Sequence, residues 1–297
     1  MDEASIPSNI HEALGDTNWK NAVMEEMKAL DSNNTWELVD RLKNKKIVGY
    51  KWVFTVKYKS DGSIDRYKAR LVAQGYSQTY GIDYEETFAP VAKLNSIRIF
   101  LSIVVNLDWE LFQFDIMNAF LNGELEEEVY MKIPPGFENE ERIGKVCKLH
   151  KSLYGLKQSP RAWFKRFSST LTKFGYKQGE TGHTLFIKHS NGKRCILIVY
   201  VDDIIVTGDD TNEIATLKQR LKEEFVVKDL GNMKYFLGME VARSKEGIVI
   251  SQRKYTLDLQ KDTGMFACKP RQIPLERNWK YMKKDDDPPV DKEMYQR

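Results

Sequence analysis

Two adjacent acidic residues interrupt a strongly apolar segment of this 297-residue chain. Asp202 and Asp203 follow the run Ile196–Val201, and the apolar pattern resumes at Ile204–Val206. A buried ionised carboxylate is costly unless a cation or hydrogen-bond donors compensate it. Hard divalent cations prefer oxygen ligands, so the pair is a candidate magnesium site. A tight hairpin turn that happens to be acidic is the alternative, because Asp is common in turns.

A third carboxylate lies in a second short apolar strand. Asp115 is embedded in Leu111–Ile116. A lone aspartate in a strand is weak evidence for a functional site. One acid from this strand and two from the distant hairpin would, however, form a three-carboxylate cluster across adjacent strands. Two-metal phosphoryl transfer requires such a cluster: one ion activates the attacking hydroxyl and the other steadies the leaving group.

Positive charge is concentrated in the first third of the chain. Two strand-like runs, 47–58 and 67–73, are joined by a predicted hairpin turn at 60–63. A basic ribbon of this kind is either a solvated surface or a grip for a triphosphate or a nucleic-acid backbone. The cations of this basic part of the chain are Arg41, Lys43, Lys45, Lys46, Lys51, Lys57, Lys59, Arg66, Lys68 and Arg70.

Composition restricts the class of protein. Hydrophobic residues make up 41% and charged residues 30%, which is typical of a soluble globular protein. No apolar stretch approaches the roughly 20 residues of a membrane span. The 3 cysteines are far apart and lack metal-binding spacing, which favours a reducing compartment. A net charge of +3 is too small to indicate nucleic-acid binding by itself.

Apolar periodicity, helix caps and turn residues predict the helices and strands that position these residues. Residues 12–31 and 95–109 have helical periodicity. Another helix is predicted to start with Ser159 as its cap and Pro160 at its first position, and to end at Gly175. On this helix Arg161 and Lys165 could face nucleic acid. Further signals are the hairpin turn Ser190–Gly192, the capping box of Asp210 with Glu213, a hairpin at 243–249 and a helix at 251–263 closed by Gly264.

The motifs that carry these residues resemble those of copia-type retrotransposon reverse transcriptases. The resemblance runs in order along nearly the whole chain, which makes chance agreement an inadequate explanation. The matching segments are Tyr67–Ala73, Thr87–Val91, Gln113–Gly123, Glu126–Met131, Pro134–Phe137, Ser152–Trp163, Tyr200–Asp203, Lys228–Gly231 and Tyr235–Glu240.

The resemblance implies an α+β, right-hand polymerase fold. Asp115 and Asp202 would be the main metal ligands and Asp203 the third catalytic carboxylate, holding two Mg²⁺ ions or Mn²⁺ in their place. The implied segments are 1–39, N-terminal helices; 40–95, fingers; 96–140, first part of the palm; 141–176, a fingers and palm helix region; 177–240, palm with the YVDD hairpin and primer grip; and 241–297, a partial thumb and flexible tail.

Further roles follow from the same resemblance. Phe120 occupies the steric-gate position, where an aromatic ring crowds a ribose 2′-hydroxyl, although core packing is its alternative role. The other nucleotide-binding candidates are Lys68, Arg70, Tyr154, Gly155, whose missing side chain would let backbone approach a ligand, and Lys157. Lys228, expected in a loop, is a candidate general acid or a solvent-facing lysine, and Leu237 with Gly238 would form the primer grip.

The implied partners are an RNA or DNA template with its primer and deoxynucleoside triphosphates, with no membrane. The implied location is the cytoplasm, in a virus-like particle, or the nucleus. The sequence ends where the family continues into a ribonuclease H domain, so we expect a fragment or degenerate copy. A silent remnant that keeps the fold and a two-metal nuclease are the competing interpretations; the basic ribbon and the aromatic gate favour polymerisation over the nuclease.

Overall fold

The computed structural model describes residues 5–59, 63–135, 137, 142–180, 182–244 and 246–270. Residues 60–62 of the predicted turn at 60–63, and residues 271–297 of the predicted thumb and tail, lie outside these ranges. The chain divides into two compact units, Met1–Gly231 and Asn232–Arg297. Among the described residues, no helix is both long and apolar enough to cross a membrane.

Helices and small, mostly antiparallel sheets alternate along the chain, which confirms the predicted α+β class. The helices are α1 Ile10–Gly15, α2 Thr17–Ser32, α3 Leu94–Asn106, α4 Ser159–Lys173, α5 Thr211–Glu224 and α6 Arg253–Asp262. The strands are β1 Trp36–Asp40, β2 Ile47–Val48, β3 Tyr50–Tyr58, β4 Ile64–Ala73, β5 Phe112–Ile116, β6 Glu124–Met131, β7 Lys145–Lys151, β8 Lys177–Gln178, β9 Leu185–Ser190, β10 Lys193–Tyr200, β11 Asp203–Gly208, β12 Val227–Asn232, β13 Tyr235–Phe236, β14 Met239–Ser244 and β15 Gly247–Ser251.

A six-stranded sheet forms the centre of the first unit, in the order β12-β5-β11-β10-β9-β8. Alternate residues of β5, β10 and β11 point into one hydrophobic core, as the period of two in a strand requires. Helices α4 and α5 contribute their apolar stripes, and Ala119, Tyr176, Phe186 and Phe225 complete that core. Its members include Phe114, Leu197, Val199, Ile204, Val206, Trp163, Phe167, Leu171, Ile214, Leu217 and Leu221.

The ends of α4 and α5 show which sequence signals determined local structure. Gly175, at φ 88°, follows α4 and lets the next amide return to the Leu171 carbonyl, so the predicted stop is confirmed. Asp210 accepts a hydrogen bond from the Glu213 amide at 3.1 Å, which confirms the cap itself. The reciprocal half of the predicted capping box is wrong, because the Asp210 amide donates to the Arg194 carbonyl and the Glu213 carboxylate accepts from the Tyr176 hydroxyl. The predicted Ser159 cap is wrong, because that residue is already helical and its hydroxyl donates to the Leu153 carbonyl.

The N-terminal region forms two helices, where the sequence predicts one. Residues 12–31 were expected to form one helix, but Asp16 separates α1 from α2. Its carboxylate accepts hydrogen bonds from the Asn18 and Trp19 amides and so starts a new helix. The apolar stripe of α2 packs inward as predicted, and Glu26 on the same helix accepts a hydrogen bond from the Leu71 amide at 3.2 Å.

The basic ribbon is a two-stranded antiparallel sheet of β3 and β4. Beside it, a four-stranded sheet has the order β1-β7-β6-β2, in which the short β2–β6 pair is parallel. In the second unit β13, β14 and β15 form a small antiparallel sheet, followed by α6 and Gly264. The predicted hairpin and helix of this unit are therefore present.

Candidate active site

The sheet register brings the three predicted catalytic acids to neighbouring positions. β11 pairs with β5 so that Asp203 lies directly opposite Asp115. Asp202 occupies the two-residue turn that joins β10 to β11, and its carbonyl accepts a hydrogen bond from the Ile116 amide at 2.9 Å. The distant hairpin is thus attached to the strand of Asp115, as the sequence predicted.

The turn has a strained backbone. Tyr200 pairs with Asp203, leaving Val201 and Asp202 as the loop residues. Val201 has φ 55°, a conformation that branched side chains avoid. Turns of two residues match the strand twist when their first residue has positive φ, and glycine usually meets that need. Strain that persists at a hairpin tip is typical of functional sites.

Burial and mutual repulsion raise the pKa values of two of these acids. The pKa of Asp115 is raised first by burial and then by the charge of Asp202, while Lys68, Lys228 and Arg66 act to lower it. The pKa of Asp203 is also raised first by burial, against a hydrogen bond that Gln113 Nε2 donates to its Oδ1 at 3.1 Å. The site therefore concentrates negative charge that its own cations compensate only in part.

The donor set suits a hard divalent cation, although the carboxylates are not gathered on one point. No described residue forms an ion pair or side-chain hydrogen bond with the Asp115 carboxylate, which leaves its oxygens available to a cation. Across the described ranges, no three His, Cys, Asp or Glu side chains are close enough together to hold a metal ion. The structure brings together the backbone positions of the three acids, and their role as ligands stays a prediction.

Cations of the ribbon face this acidic region. Lys68 and Arg66 of β4 are close enough to Asp115 to lower its pKa. Lys68 is half-buried, and burial together with repulsion from Arg70 and Arg66 lowers its own pKa. A crowded, partly desolvated ammonium of this kind gains from an additional anion. Lys228, predicted in a loop, is instead an exposed residue of β12, which pairs with β5 at the edge of the six-stranded sheet.

Three of the predicted nucleotide-binding residues form one stack. Phe120 and Tyr154 pack edge to face with ring centroids 4.7 Å apart. The Arg70 guanidinium lies over the Tyr154 ring, 4.7 Å from its centroid. Burial raises the Tyr154 pKa, and the charges of Asp202 and Asp115 are close enough to raise it further. The stack is therefore close enough to the acids for their charges to act on it.

Gly155 and Lys157 serve contacts within the protein. A Cβ on Gly155 would lie 2.1 Å from the Ala73 carbonyl oxygen, so the missing side chain admits β4 rather than a ligand. Lys157 Nζ donates to the Gln78 carbonyl at 3.3 Å and to the Tyr84 hydroxyl at 3.2 Å. Both residues attach the chain before α4 to β4 and the segment that follows it, and their predicted nucleotide contacts stay predictions.

Two cations of α4 have acidic partners that the sequence did not predict. Arg161 pairs with Glu127 at 2.9 Å, and Lys165 pairs with Glu126. Both acids belong to β6, so these side chains link α4 to the neighbouring sheet, and their predicted contact with nucleic acid stays a prediction. In the second unit Leu237, at φ 51°, and Gly238 form the predicted turn between β13 and β14. Their primer-grip role stays a prediction.

A family model described as "Reverse transcriptase (RNA-dependent DNA polymerase)" matches residues 33–277. The chain belongs to the reverse transcriptase family. It is 45% identical over 272 residues to the "Retrovirus-related Pol polyprotein from transposon RE1" of Arabidopsis thaliana, covering 91% of this chain. It is 42% identical over 266 residues to that from transposon TNT 1-94 of Nicotiana tabacum, covering 89%. The predicted copia-type resemblance is confirmed.

The match spans only part of those relatives, namely 19% of the RE1 polyprotein and 20% of the TNT 1-94 polyprotein. The chain thus corresponds to the reverse transcriptase domain of a retrotransposon Pol polyprotein. Among solved structures it is similar to a foamy viral protease-reverse transcriptase in complex with double-stranded DNA, at 14% identity and a TM-score of 0.41. That likeness covers 84% of this chain and 40% of the other, and it adds nothing to the family assignment.

Proposed function

We propose that this chain is an RNA-directed DNA polymerase that adds deoxynucleotides to a primer 3′-hydroxyl. The observation that carries the proposal is the pairing of Asp203 with Asp115, beside the turn that bears Asp202. In support, the strand register sets the three acids at neighbouring backbone positions, and Lys68 and Arg66 of β4 are close enough to Asp115 to lower its pKa. Bound Mg²⁺ would supply activation of the hydroxyl and neutralise charge on the triphosphate.

The residues of this chain have separable roles in the proposal. Asp115, Asp202 and Asp203 would hold the ions. Lys68 supplies positive charge close to Asp115, where a triphosphate would lie against the ions. Phe120, held against Tyr154, would exclude a ribose 2′-hydroxyl. Lys228 on β12, whose charge acts to lower the pKa of Asp115, would be the donor of a proton to pyrophosphate.

A primer-extension assay tests the proposal. The purified chain is given a primed RNA template, deoxynucleotides and Mg²⁺. We expect extension by the wild type and its loss in Asp115→Asn and Asp202→Asn. Asp31→Asn, which changes an exposed acid near the end of α2, is the matched control and should extend normally.

The same assay separates the competing functions. A folded wild type that extends no primer would contradict the proposal and identify a silent domain. Cleavage of the template with no primer extension would instead support the nuclease interpretation. Equal extension by wild type and Asp115→Asn would show that another site performs the reaction.

A further inference from the structure

The strained turn is held by hydrogen bonds to its two central carbonyls. The Ile116 amide donates to the Asp202 carbonyl, and the Trp163 indole Nε1 donates to the Val201 carbonyl oxygen at 2.7 Å. The second bond reaches the residue whose backbone is strained, at φ 55°. Val201 is 38% exposed, so packing alone gives its side chain little restraint.

Trp163 is itself fixed in the core. Its side chain is 2% exposed and lies against Phe167 and Phe225, with ring centroids 5.3 Å away in each case. A buried indole N–H normally needs a hydrogen-bond acceptor. Because the ring is fixed, that acceptor must lie in one direction from it. If the turn relaxed, the indole would lose its bond to the Val201 carbonyl.

The same residue also packs against the chain that follows Asp115. A Cβ on Gly123 would lie 2.7 Å from the Trp163 main-chain nitrogen, so α4 lies directly on this segment. Trp163 therefore contacts the turn that bears Asp202 through its indole, and its backbone lies beside Gly123 in the segment that follows β5. Its place in α4 and in the core does not require the indole to reach the turn.

We propose that Trp163 is a positioning residue, whose indole N–H holds the strained Val201 carbonyl and so fixes the Asp202 carboxylate relative to Asp115. The proposal rests on the proposed function. Partners that orient metal ligands without touching the ion typically change metal affinity by roughly 10–100-fold when removed. Loss of this one N–H should therefore weaken metal binding while the core stays folded.

One test follows the indole without changing it. In a ¹H–¹⁵N NMR titration of the full chain with Mg²⁺, the Trp163 indole signal should shift with the midpoint of metal binding. Trp19 is the internal control, because its indole also donates to a main-chain carbonyl, that of Ser5, at 3.1 Å. A Trp163 signal that moves no more than that of Trp19 would overturn the inference.

A second test uses variants and Mn²⁺ affinity measured by electron paramagnetic resonance. Trp163→Phe should weaken Mn²⁺ binding by roughly tenfold or more. Phe167→Leu, which disturbs the same aromatic core but removes no hydrogen bond to the turn, should leave the affinity unchanged. Val201→Gly removes the strain, because glycine adopts positive φ freely, so the effect of Trp163→Phe should shrink in that background.

The outcomes separate the two claims. Equal losses in Trp163→Phe and Phe167→Leu, or the same Trp163→Phe effect with valine and glycine at 201, would overturn the positioning role alone. Failure of the wild type to bind Mn²⁺ would refute the proposed function, and the positioning role with it. Circular dichroism confirms that each variant is folded, and the indole titration decides the matter if Trp163→Phe does not fold.

Discussion

Neutralising Asp115 should stabilise the metal-free chain. Asp115 and Asp203 are direct cross-strand neighbours, and like charges in that arrangement destabilise a sheet by about 0.2–1 kcal/mol. Burial of the ionised carboxylate acts in the same direction, but the side chain is only half-buried, and solvent screening limits that contribution. We therefore expect Asp115→Asn to raise the free energy of unfolding by on the order of 1 kcal/mol at pH 7 in EDTA.

The pH dependence has a definite sign. The folded-state pKa of Asp115 is raised above its ordinary value of 3.8, so the ionised form is the destabilising one. The penalty is fully present above the folded-state pKa and is relieved as the pH falls through it toward 3.8. The stability advantage of Asp115→Asn over the wild type should therefore shrink on acidification.

Magnesium should reverse the order of the two proteins. A ligand at 100 times its dissociation constant stabilises the folded state by about 2.7 kcal/mol, and Asp115→Asn should lose most of that gain. Urea unfolding followed by tryptophan fluorescence, with and without Mg²⁺, measures both effects. Asp229→Asn is the control of opposite sign, because Asp229 pairs with Lys218 and its pKa is lowered. A metal-free Asp115→Asn protein less stable than the wild type would refute this reasoning.

Three further predictions concern the proposed aromatic gate, the hydrogen bonds of Gln78 and the binding of duplex. Phe120→Ala should raise ribonucleotide relative to deoxynucleotide incorporation at least roughly tenfold, about 1.4 kcal/mol; unchanged discrimination would mean core packing only. Gln78→Leu removes bonds to Gln158 at 3.0 Å and to the Lys157 amide at 2.9 Å, both buried or partly buried, so urea unfolding should show a loss of about 2–4 kcal/mol. Gln219→Leu, at an exposed position, should change the free energy of unfolding by under about 0.5 kcal/mol. Similar changes in the Gln78 and Gln219 variants would show that the Gln78 hydrogen bonds do not stabilise the fold. Duplex binding, measured by fluorescence anisotropy, should weaken steeply with salt if phosphate contacts dominate, and a flat salt dependence would exclude that.

Much of the local structure could be predicted from single residues. Gly175 ends α4 because glycine adopts positive φ without a steric penalty, and Asp210 caps α5 because its carboxylate reaches a free amide. The family could also be identified from the sequence, since its motifs are contiguous. These are signals that act over a few residues and need no knowledge of what lies across the fold.

The environment of long polar side chains could not be predicted in this way. Arg161 and Lys165 lie on a helix face that the sequence leaves open to solvent or nucleic acid, and only the packing of α4 against β6 gives them acidic partners. Gly155 was expected to admit a ligand, but the close approach of β4 occupies that space. In each case the partner comes from a distant segment of the chain.

The sequence by itself determined which acids, cations and aromatic residues this domain has available and which family it belongs to. Tertiary structure alone decided that Asp203 faces Asp115, that Gln113 hydrogen-bonds to Asp203, and that Trp163 reaches the Val201 carbonyl. The physical reason is the separation along the chain of the residues that interact. Caps, turns and apolar periodicity are encoded by neighbours along the chain, whereas strand register and the direction of a buried indole depend on elements that meet only when the core closes.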